Sequence, residues 1–433
     1  MSKYQSSNID EISLADALEF VVDNRGKTVP TDDNGIALIA TNCISNEHIY
    51  PQKLNIRYVS QDVFDNWFRA HPKPGDIILT NKGSNNGEVC LVPNTVDFCI
   101  AQDMVAVRAD KKKIDPLYLF AALRSRLVQK RIKYLNVDAV IPHFKKTDFN
   151  KLLIPLPDRK SQEFIGEVYF NFSLKIDNLR RQNETLEKIA QTLFKHWFID
   201  FEFPNDDGKP YKSSGGAMFT SEFGNIPAGW HIACLDEYVN VINGYSYKGA
   251  ELLESDTALI NLKNFDRNGG FRVDGFKSLK TDNYKKQHIV FPDDLIVAHT
   301  DLTQNAEVLG NAVLVQPSEK YNKYILSMDL VKLESKKDFL NNFFFYYLLS
   351  TREFKGHCVG YSNGTTVLHL SKKAIPEYTF PISDEIDIIS NFQNIAYVAR
   401  KKITNNTQQI QTLTKTRETL LPKLMSGQVR VKE

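Results

Sequence analysis

Hydrogen-bonding side chains of several chemical kinds are concentrated in three short stretches of this sequence. Amide, hydroxyl and amine groups on loops are the side chains that read the donor and acceptor pattern of DNA base edges. The stretches contribute Lys82, Ser84, Asn85 and Asn86, then Thr300, Gln304 and Asn305, then Tyr361, Ser362, Asn363 and Thr365. We predict these residues as candidate DNA contacts. Ordinary variation between loops gives the same composition, and that alternative stays open here.

Positive charge is concentrated in one part of the chain. Residues 101–150 contain eleven Lys or Arg against five Asp, whereas the formal net charge of the whole chain is only +2. We therefore expect local basic patches rather than binding through bulk electrostatics. The candidate contacts are Lys111, Lys112, Arg124, Arg126, Lys145, Lys146, Lys277 and Lys280. A solvated face without a ligand is the alternative interpretation of such runs.

The motifs of two enzyme classes are missing from the sequence. An amino-methyltransferase needs an N-P-P-Y or D-P-P-Y loop and a Gly-rich cofactor loop, and a nucleotide-driven motor needs G-x-x-x-x-G-K-[ST]. No His, Cys and Asp cluster has metal-ligand spacing. We therefore predict no catalytic residue, no cofactor and no metal. His143 and His369 recur at matching positions, where a structural role is favoured over a phosphate or base contact.

Length and cysteine usage limit the class of protein. A chain of 433 residues suits two or three domains. Its five cysteines are scattered and show no C-x-x-C spacing, which predicts a reduced, cytoplasmic protein without disulfides or a zinc site. No apolar run reaches the length of a membrane span, and no signal peptide is expected.

One sequence pattern occurs twice in the chain. Residues 139–158 read AVIPHFKKTDFNKLLIPLPD, and residues 365–384 read TTVLHLSKKAIPEYTFPISD. The match extends from Asp103 and Asp329 to Asp158 and Asp384 at a constant offset of 226. A period this long excludes a solenoid and predicts a duplicated domain.

Each copy has the same order of predicted elements. Strand-like runs come first, then a polar loop, then one helix-like stretch over 115–131 or 338–354, then a short strand ending in proline. This order predicts two α+β globules.

Heptad seams follow each globule. The apolar positions run from Phe172 to Trp197 and from Ala399 to Leu424, and each seam carries one asparagine, Asn183 or Asn406. The alternative is that each helix packs only on its own globule. We expect the helices to pair as an antiparallel coiled coil, which gives a pseudo-twofold symmetric α+β protein with two duplicated α/β recognition domains.

Three motifs carry a resemblance to a known family. Residues 193–218, LFKHWFIDFEFPNDDGKPYKSSGGAM, with GNIPAGW at 224–230, resemble the central segment of Type I restriction-modification specificity subunits. Residues 420–431, LLPKLMSGQVRV, resemble the distal segment of that family, and the IPLPD…Q edge at 154–162 is similar to its I-P-x-P-P-x-x-E-Q edge. The second copy departs from this edge with FPISDE. The resemblance covers the whole chain.

The resemblance implies a non-catalytic subunit that reads a split site in double-stranded DNA, one half with each globule. It implies two adenine methyltransferase subunits and two motor-nuclease subunits as partners, which supply the S-adenosylmethionine and ATP chemistry. The rival hypotheses are a self-contained DNA methyltransferase or nuclease, and a coiled-coil adaptor that does not read DNA.

Domain boundaries follow from the repeat and the seams. The expected order is a first target-recognition domain (1–158), a first long helix (159–200), a connector (201–230), a second target-recognition domain (231–384), and a second long helix with the tail (385–433). The aromatic cluster at the end of the first helix is predicted either to cap the end of the coiled coil or to seat a methyltransferase subunit, with stacking on bases as a less favoured alternative, and it should be exposed without partners. Its members are Trp197, Phe198, Phe201 and Phe203.

Overall fold

The chain is described as two compact units. The computed structural model describes residues 10–24, 27–136, 142–222, 224–267, 269–303, 305–364 and 367–429. The first unit comprises Met1–Arg180 with Gln409–Glu433, and the second comprises Arg181–Gln408. Each unit therefore holds one copy of the repeated sequence.

The first unit contains nine strands and the start of a long helix among its described residues. The strands are β1 (Asp10–Ser13), β2 (Leu18–Asp23), β3 (Ile36–Ile39), β4 (Arg57–Val59), β5 (Ile77–Thr80), β6 (Val89–Leu91), β7 (Phe98–Ile100), β8 (Met104–Ala109) and β9 (Leu153–Leu156). The helices are α1 (Gln61–Asn66), α2 (Pro116–Arg124), α3 (Arg126–Tyr134) and α4 (Arg159–Phe194), of which α4 continues into the second unit.

Three sheets are present in the described part of the first globule. One has the order β2-β8-β5-β6, the second has the order β4-β3-β7, and the third is the pair β1-β9. β5 is buried along its whole length because both faces of its sheet are covered. A bidentate ion pair supports the turn before it, where Arg108 Nε and Nη2 lie 2.8 and 2.9 Å from the Asp76 carboxylate.

The second unit repeats this plan with additional short strands. The strands are β10 (Met218–Ser221), β11 (Gly224–Pro227), β12 (Trp230–Cys234), β13 (Val239–Asn243), β14 (Thr257–Ile260), β15 (Lys277–Ser278), β16 (Ile289–Val290), β17 (Leu295–Ala298), β18 (Thr300–Asp301), β19 (Ala312–Leu314), β20 (Lys323–Leu326), β21 (Leu330–Ser335), β22 (Ser362–Asn363), β23 (Leu368–Leu370) and β24 (Thr379–Ser383). The helices are α5 (Asn342–Leu349), α6 (Arg352–Gly360) and α7 (Ile386–Met425), of which α7 continues into the first unit.

The sheets of the two globules correspond. The order β13-β21-β17-β19 matches β2-β8-β5-β6, the order β15-β14-β20-β16 contains the parallel pair that matches β3-β7, and β12-β24 matches β1-β9. A fourth sheet, of order β18-β23-β22, is described in the second globule. The duplication predicted from the sequence is therefore a duplication of fold.

The prediction of a single helix in each globule is wrong, because in both copies the predicted stretch forms two helices. Ser125 ends α2 and caps α3, since its hydroxyl accepts a hydrogen bond from the Val128 N–H. Thr351 caps α6 in the same way through the Phe354 N–H. Hydroxyl side chains compete for backbone hydrogen bonds and favour helix N-caps over helix interiors. The break thus occurs at the same offset of 226 as the sequence repeat.

The long helices α4 and α7 pair antiparallel. In the second unit, Asn183 Oδ1 accepts a hydrogen bond of 2.9 Å from Asn406 Nδ2, and Arg400 Nη1 lies 3.2 Å from Glu187 Oε2. In the first unit, Arg417 Nη1 donates to Ser173 Oγ at 3.0 Å. The two seam asparagines therefore meet each other. A polar pair at a seam position favours one register over its alternatives.

Candidate nucleic-acid interface

In the first globule, the turn after β5 meets a chain segment about sixty residues away. Lys82 forms an antiparallel bridge with His143, the Gly83 N–H donates to Pro142 O at 3.0 Å, and the Phe144 N–H donates to Asn81 O at 2.8 Å. The polar turn and the basic segment Lys145–Lys146 thus lie at one edge of the globule. We name this edge, residues 81–88 and 142–146, the first reading edge.

The candidate DNA contacts in the turn after β5 differ in their exposure to solvent. Lys82 and Ser84 are exposed, and Lys82 Nζ lies 3.9 Å from Asp103 Oδ1. Asn85 instead donates from Nδ2 to Thr41 O at 3.1 Å, which fixes the turn against a neighbouring loop. Asn86 is half-buried, and its Oδ1 has no hydrogen-bond partner. Lys82 and Ser84 are therefore the side chains of this turn that are available to a ligand.

The two lysines after His143 are both exposed. Lys146 Nζ forms an ion pair with the Asp23 carboxylate of β2. Lys145 precedes the single helical turn Lys146–Asp148. An exposed ion pair of this kind contributes little stability.

Lys111 and Lys112 lie away from the first reading edge. Thr80, next to the polar turn, pairs with Met104 at the beginning of β8, whereas the two lysines follow Ala109 at its end. Both lysines are exposed, and Lys111 O accepts a hydrogen bond from Arg159 of α4. The basic run of the sequence is thus split between the two ends of a strand.

The prediction of Arg124 as a DNA contact is wrong. Its side chain is buried, and its guanidinium donates to three backbone carbonyls, those of Ser45, His48 and Val89. These bonds join α2 to the loop before β4 and to β6. Arg126, two residues later, is exposed at the start of α3. Arg124 is therefore a structural residue that a ligand in solution cannot reach.

In the second globule, the added sheet joins two of the candidate loops. Thr300 of β18 and Asn363 of β22 both pair with His369 of β23, and Ser362 pairs with Leu370. Stretches that lie some sixty residues apart in sequence therefore form one small surface. We name it, residues 299–305, 361–364 and 367–372 as far as described, the second reading edge.

The side chains of the second reading edge differ in whether a ligand could contact them. Asn305 and Asn363 are exposed, whereas Thr300 is buried, so the prediction of Thr300 as a contact is wrong for its side chain. Ser362 Oγ donates to Val359 O at 2.7 Å, and Tyr361 donates from its hydroxyl to Glu377 Oε2 at 2.8 Å. Two further predicted contacts lie outside the described residues. These are Gln304 and Thr365.

Charged residues that the sequence analysis did not select complete the second reading edge. Burial lowers the pKa of His299, and the nearby His369 and Lys372 lower it further. Burial raises the pKa of Asp329, while His369 and the predicted contact Lys277 oppose that rise. The pairing of Thr300 with His369 and the hydrogen bond from the His299 N–H to Asp329 O bring His299, His369 and Asp329 together in the backbone. Lys277 was predicted as a contact from the sequence, and the repeat, which aligns His143 with His369 and Lys146 with Lys372, is the sequence signal for two of the others.

Lys280 is exposed just after β15. Its backbone N–H donates to Glu251 O at 2.9 Å. Lys277 is half-buried within β15, which pairs with β14. The two lysines therefore belong to the β15-β14-β20-β16 sheet rather than to the second reading edge itself.

The two reading edges are the same part of the duplicated fold. The Asn81 N–H donates to Asp103 O at 3.1 Å, and the His299 N–H donates to Asp329 O at 2.9 Å. The Leu370 N–H donates to His299 O at 2.9 Å, as the Phe144 N–H does to Asn81 O. His143 and His369 are thus placed by the same backbone bonds. The two edges therefore share one scaffold and carry different side chains.

The aromatic cluster after α4 is buried, so the prediction of its exposure is wrong. Phe198, Phe201 and Phe203 are 2 %, 8 % and 4 % exposed. They pack around Trp230, whose ring centroid lies 5.3 Å from that of Phe201 and 5.4 Å from that of Phe203. These three side chains belong to the core of the second unit and are not available to a partner. Trp197 is only partly buried, and its role in docking stays a prediction.

The described ranges of the chain also bear on metal binding and on membrane insertion. Within them, no group of three or more His, Cys, Asp or Glu is placed to hold a metal ion. No helix in the described part of the chain is long and apolar enough to cross a bilayer.

Comparison with known proteins identifies the family. The sequence matches the family described as Type I restriction modification DNA specificity domain twice, over residues 14–188 and 227–415. This chain belongs to that family. The resemblance drawn from residues 193–218 and 420–431 is thereby confirmed, and each match covers one of the two globules.

Relatives in the specificity subunit family span nearly the whole chain. The Type I restriction enzyme MjaIX specificity subunit of Methanocaldococcus jannaschii is 27 % identical over 396 residues, which cover 89 % of this chain and 85 % of that relative. The HindI specificity subunit of Haemophilus influenzae is 22 % identical over 411 residues, covering 82 % and 87 %. The crystal structure of the S subunit from M. genitalium superposes with a TM-score of 0.57 at 18 % identity and covers 98 % of each chain. This likeness confirms the fold of two duplicated domains with long helices.

Proposed function

We propose that this specificity subunit reads a bipartite DNA site, with one half-site at each reading edge. The observation that carries the proposal is the repetition of one scaffold edge, built by the same backbone hydrogen bonds, with different exposed side chains. In the first globule these are Lys82, Ser84, Lys145 and Lys146, and in the second they are Asn305, Asn363, His369 and Lys372. Amines supply phosphate contacts, and amides supply base contacts.

The two globules are proposed as independent recognition domains. We assign residues 1–158 and 231–384 to them, and residues 159–200 and 385–433 to the long helices, with 201–230 as the connector. The paired asparagines Asn183 and Asn406 support a fixed register between the helices. A fixed register is what a constant spacer between two half-sites requires.

Methyl transfer and DNA cleavage are proposed to belong to partner subunits. We propose two methyltransferase subunits and motor-nuclease subunits as partners, in agreement with the missing N-P-P-Y and Walker motifs. A docking surface for them is better placed on α7 than on the buried aromatic cluster. Ile395, Tyr397 and Val398 are 42 %, 48 % and 67 % exposed on that helix. Apolar exposure of this kind is typical of a protein contact.

The proposal is tested by methylation in a host that lacks other adenine methyltransferases. The chain and its methyltransferase subunit are expressed together and singly, and modified adenines are mapped by sequencing. We expect a split motif only when both are present. The pure chain, incubated with labelled S-adenosylmethionine and DNA, should transfer no label. Label transferred by the chain alone would support the self-contained methyltransferase instead.

A further inference from the structure

The loop between β18 and β19 is organised by one buried carboxylate. Asp301 is 1 % exposed and accepts hydrogen bonds from the Thr303 N–H at 2.8 Å, the Thr303 hydroxyl at 2.8 Å, the Val308 N–H at 2.6 Å and the Leu309 N–H at 3.1 Å. Both ends of the loop are therefore bonded to the same side chain. Bonds to an ionised acceptor are stronger than neutral ones, so Asp301 anchors Thr303, Val308 and Leu309 firmly.

A side chain of α6 holds the end of this loop that precedes β19. Lys355 of α6 donates to Leu309 O at 2.5 Å and to Asn311 Oδ1 at 2.7 Å. Gly310, between them, has a φ of +73°, and a Cβ there would lie 2.7 Å from Cys358. The loop thus packs closely on α6, and no larger residue fits at its closest approach.

Leu302 is the first residue of this loop and is exposed. Its side chain is 69 % exposed although its neighbours Asp301 and Thr303 are engaged in the hydrogen bonds that hold the loop. Because the backbone on both sides is fixed, the leucine has little freedom to turn inward. It lies on the second reading edge, directly after the strand that pairs with His369 and Leu368.

A leucine can recognise a base edge only through apolar contact. The major groove offers one apolar group for this purpose, the C5-methyl group of thymine. We propose that Leu302 packs against a thymine methyl in the half-site read by the second globule, with Asp301 and Lys355 as positioning residues. This inference rests on the proposed function of the second reading edge.

The test removes the methyl group from the DNA and the side chain from the protein. The full chain is purified in complex with its methyltransferase subunit, and the second half-site is identified by exchanging residues 1–158 for those of a relative. Each thymine of the motif is then replaced singly by deoxyuridine, and the dissociation constant is measured at fixed salt. We expect one position in the second half-site where deoxyuridine weakens binding about fourfold, as the burial of one methyl group would give.

The Leu302→Ala variant should abolish the difference between thymine and uracil at that position and at no other. Leu302→Met should retain it, because the apolar contact remains. Phe291→Ala is the matched control, since Phe291 is 64 % exposed at the other end of β17. A uracil effect that persists undiminished in Leu302→Ala, or no responsive thymine in the second half-site, would overturn the inference. A complex without preference for its motif would overturn the proposed function and the inference with it.

Discussion

Arg124 and Arg126 stand two residues apart, yet they have opposite environments. Arg124 is buried against three carbonyls, whereas Arg126 is exposed on the next helix. The sequence shows both as members of one basic run, because charge alone does not reveal which side of a helix faces the core. The neighbouring helix break at Ser125 separates them, and that break depends on a side-chain hydrogen bond.

Replacing each arginine by methionine should separate structural from ligand-binding roles. Arg124→Met leaves buried carbonyls without a donor, so we expect the free energy of unfolding to fall by about 2–4 kcal/mol. Arg126→Met should change it by less than about 0.5 kcal/mol. Urea unfolding of both variants measures this. Equal stability losses in the two variants would contradict the assignment.

Asp301 makes the stability of the second globule depend on pH. Burial raises the pKa of its carboxyl, but the bonds from Val308 and Thr303 outweigh it and hold the pKa below its ordinary value. A lowered folded-state pKa stabilises the protein above the unfolded value, about 3.9, and this contribution is lost as the pH falls through the folded value.

The Asp301→Asn variant tests this dependence. At pH 7 we expect it to be about 1–3 kcal/mol less stable than the unmodified chain, because it loses charge-assisted hydrogen bonds. The difference should shrink as the pH is lowered from 6 to about 3, measured by urea unfolding at each pH. A difference that stays constant with pH would show that Asp301 is not ionised in the folded protein.

At the scale of elements, the sequence predicts regular strands better than short connecting ones. The runs that contain β5 and β17 were predicted from their apolar residues, and both are strands. β18, β22 and β23 are two or three residues long and carry no periodic pattern. Their pairing depends on contacts between distant segments and on the turn at Gly364, which local patterns do not show.

Gly364 should be essential to the hairpin of β22 and β23. Its φ is +117°, and a Cβ there would lie 2.1 Å from Val367 O. We expect Gly364→Ala to cost on the order of 1–3 kcal/mol of local strain and to weaken recognition of the second half-site. Gly356→Ala is the control, because Gly356 lies within α6 with no atom near the added methyl group.

The measurement for this pair of variants is methylation of the motif by the complex. Gly356→Ala should leave methylation unchanged and raise stability by up to about 1 kcal/mol, since alanine favours helix over glycine. Full methylation by Gly364→Ala would show that the hairpin is not part of the reading edge.

At the scale of the whole molecule, the duplication could be predicted from sequence and the core around Trp230 could not. The sequence repeat corresponds to matched strands, matched helix breaks and matched reading edges. The aromatic cluster at 197–203 follows an amphipathic helix and resembles an exposed patch. Its burial depends on Trp230, Phe344 and Phe392, which come from three other parts of the chain. Such long-range packing leaves no local pattern.

The central claim is that each globule reads one half of a split site independently. The most direct test replaces residues 1–158 by the corresponding segment of a relative with a different motif, and maps methylated adenines in a host that expresses the hybrid with the methyltransferase. We predict that one half of the motif changes to the half read by the relative, while the other half and the spacer are kept. A motif altered in both halves, or unchanged in both, would contradict the account.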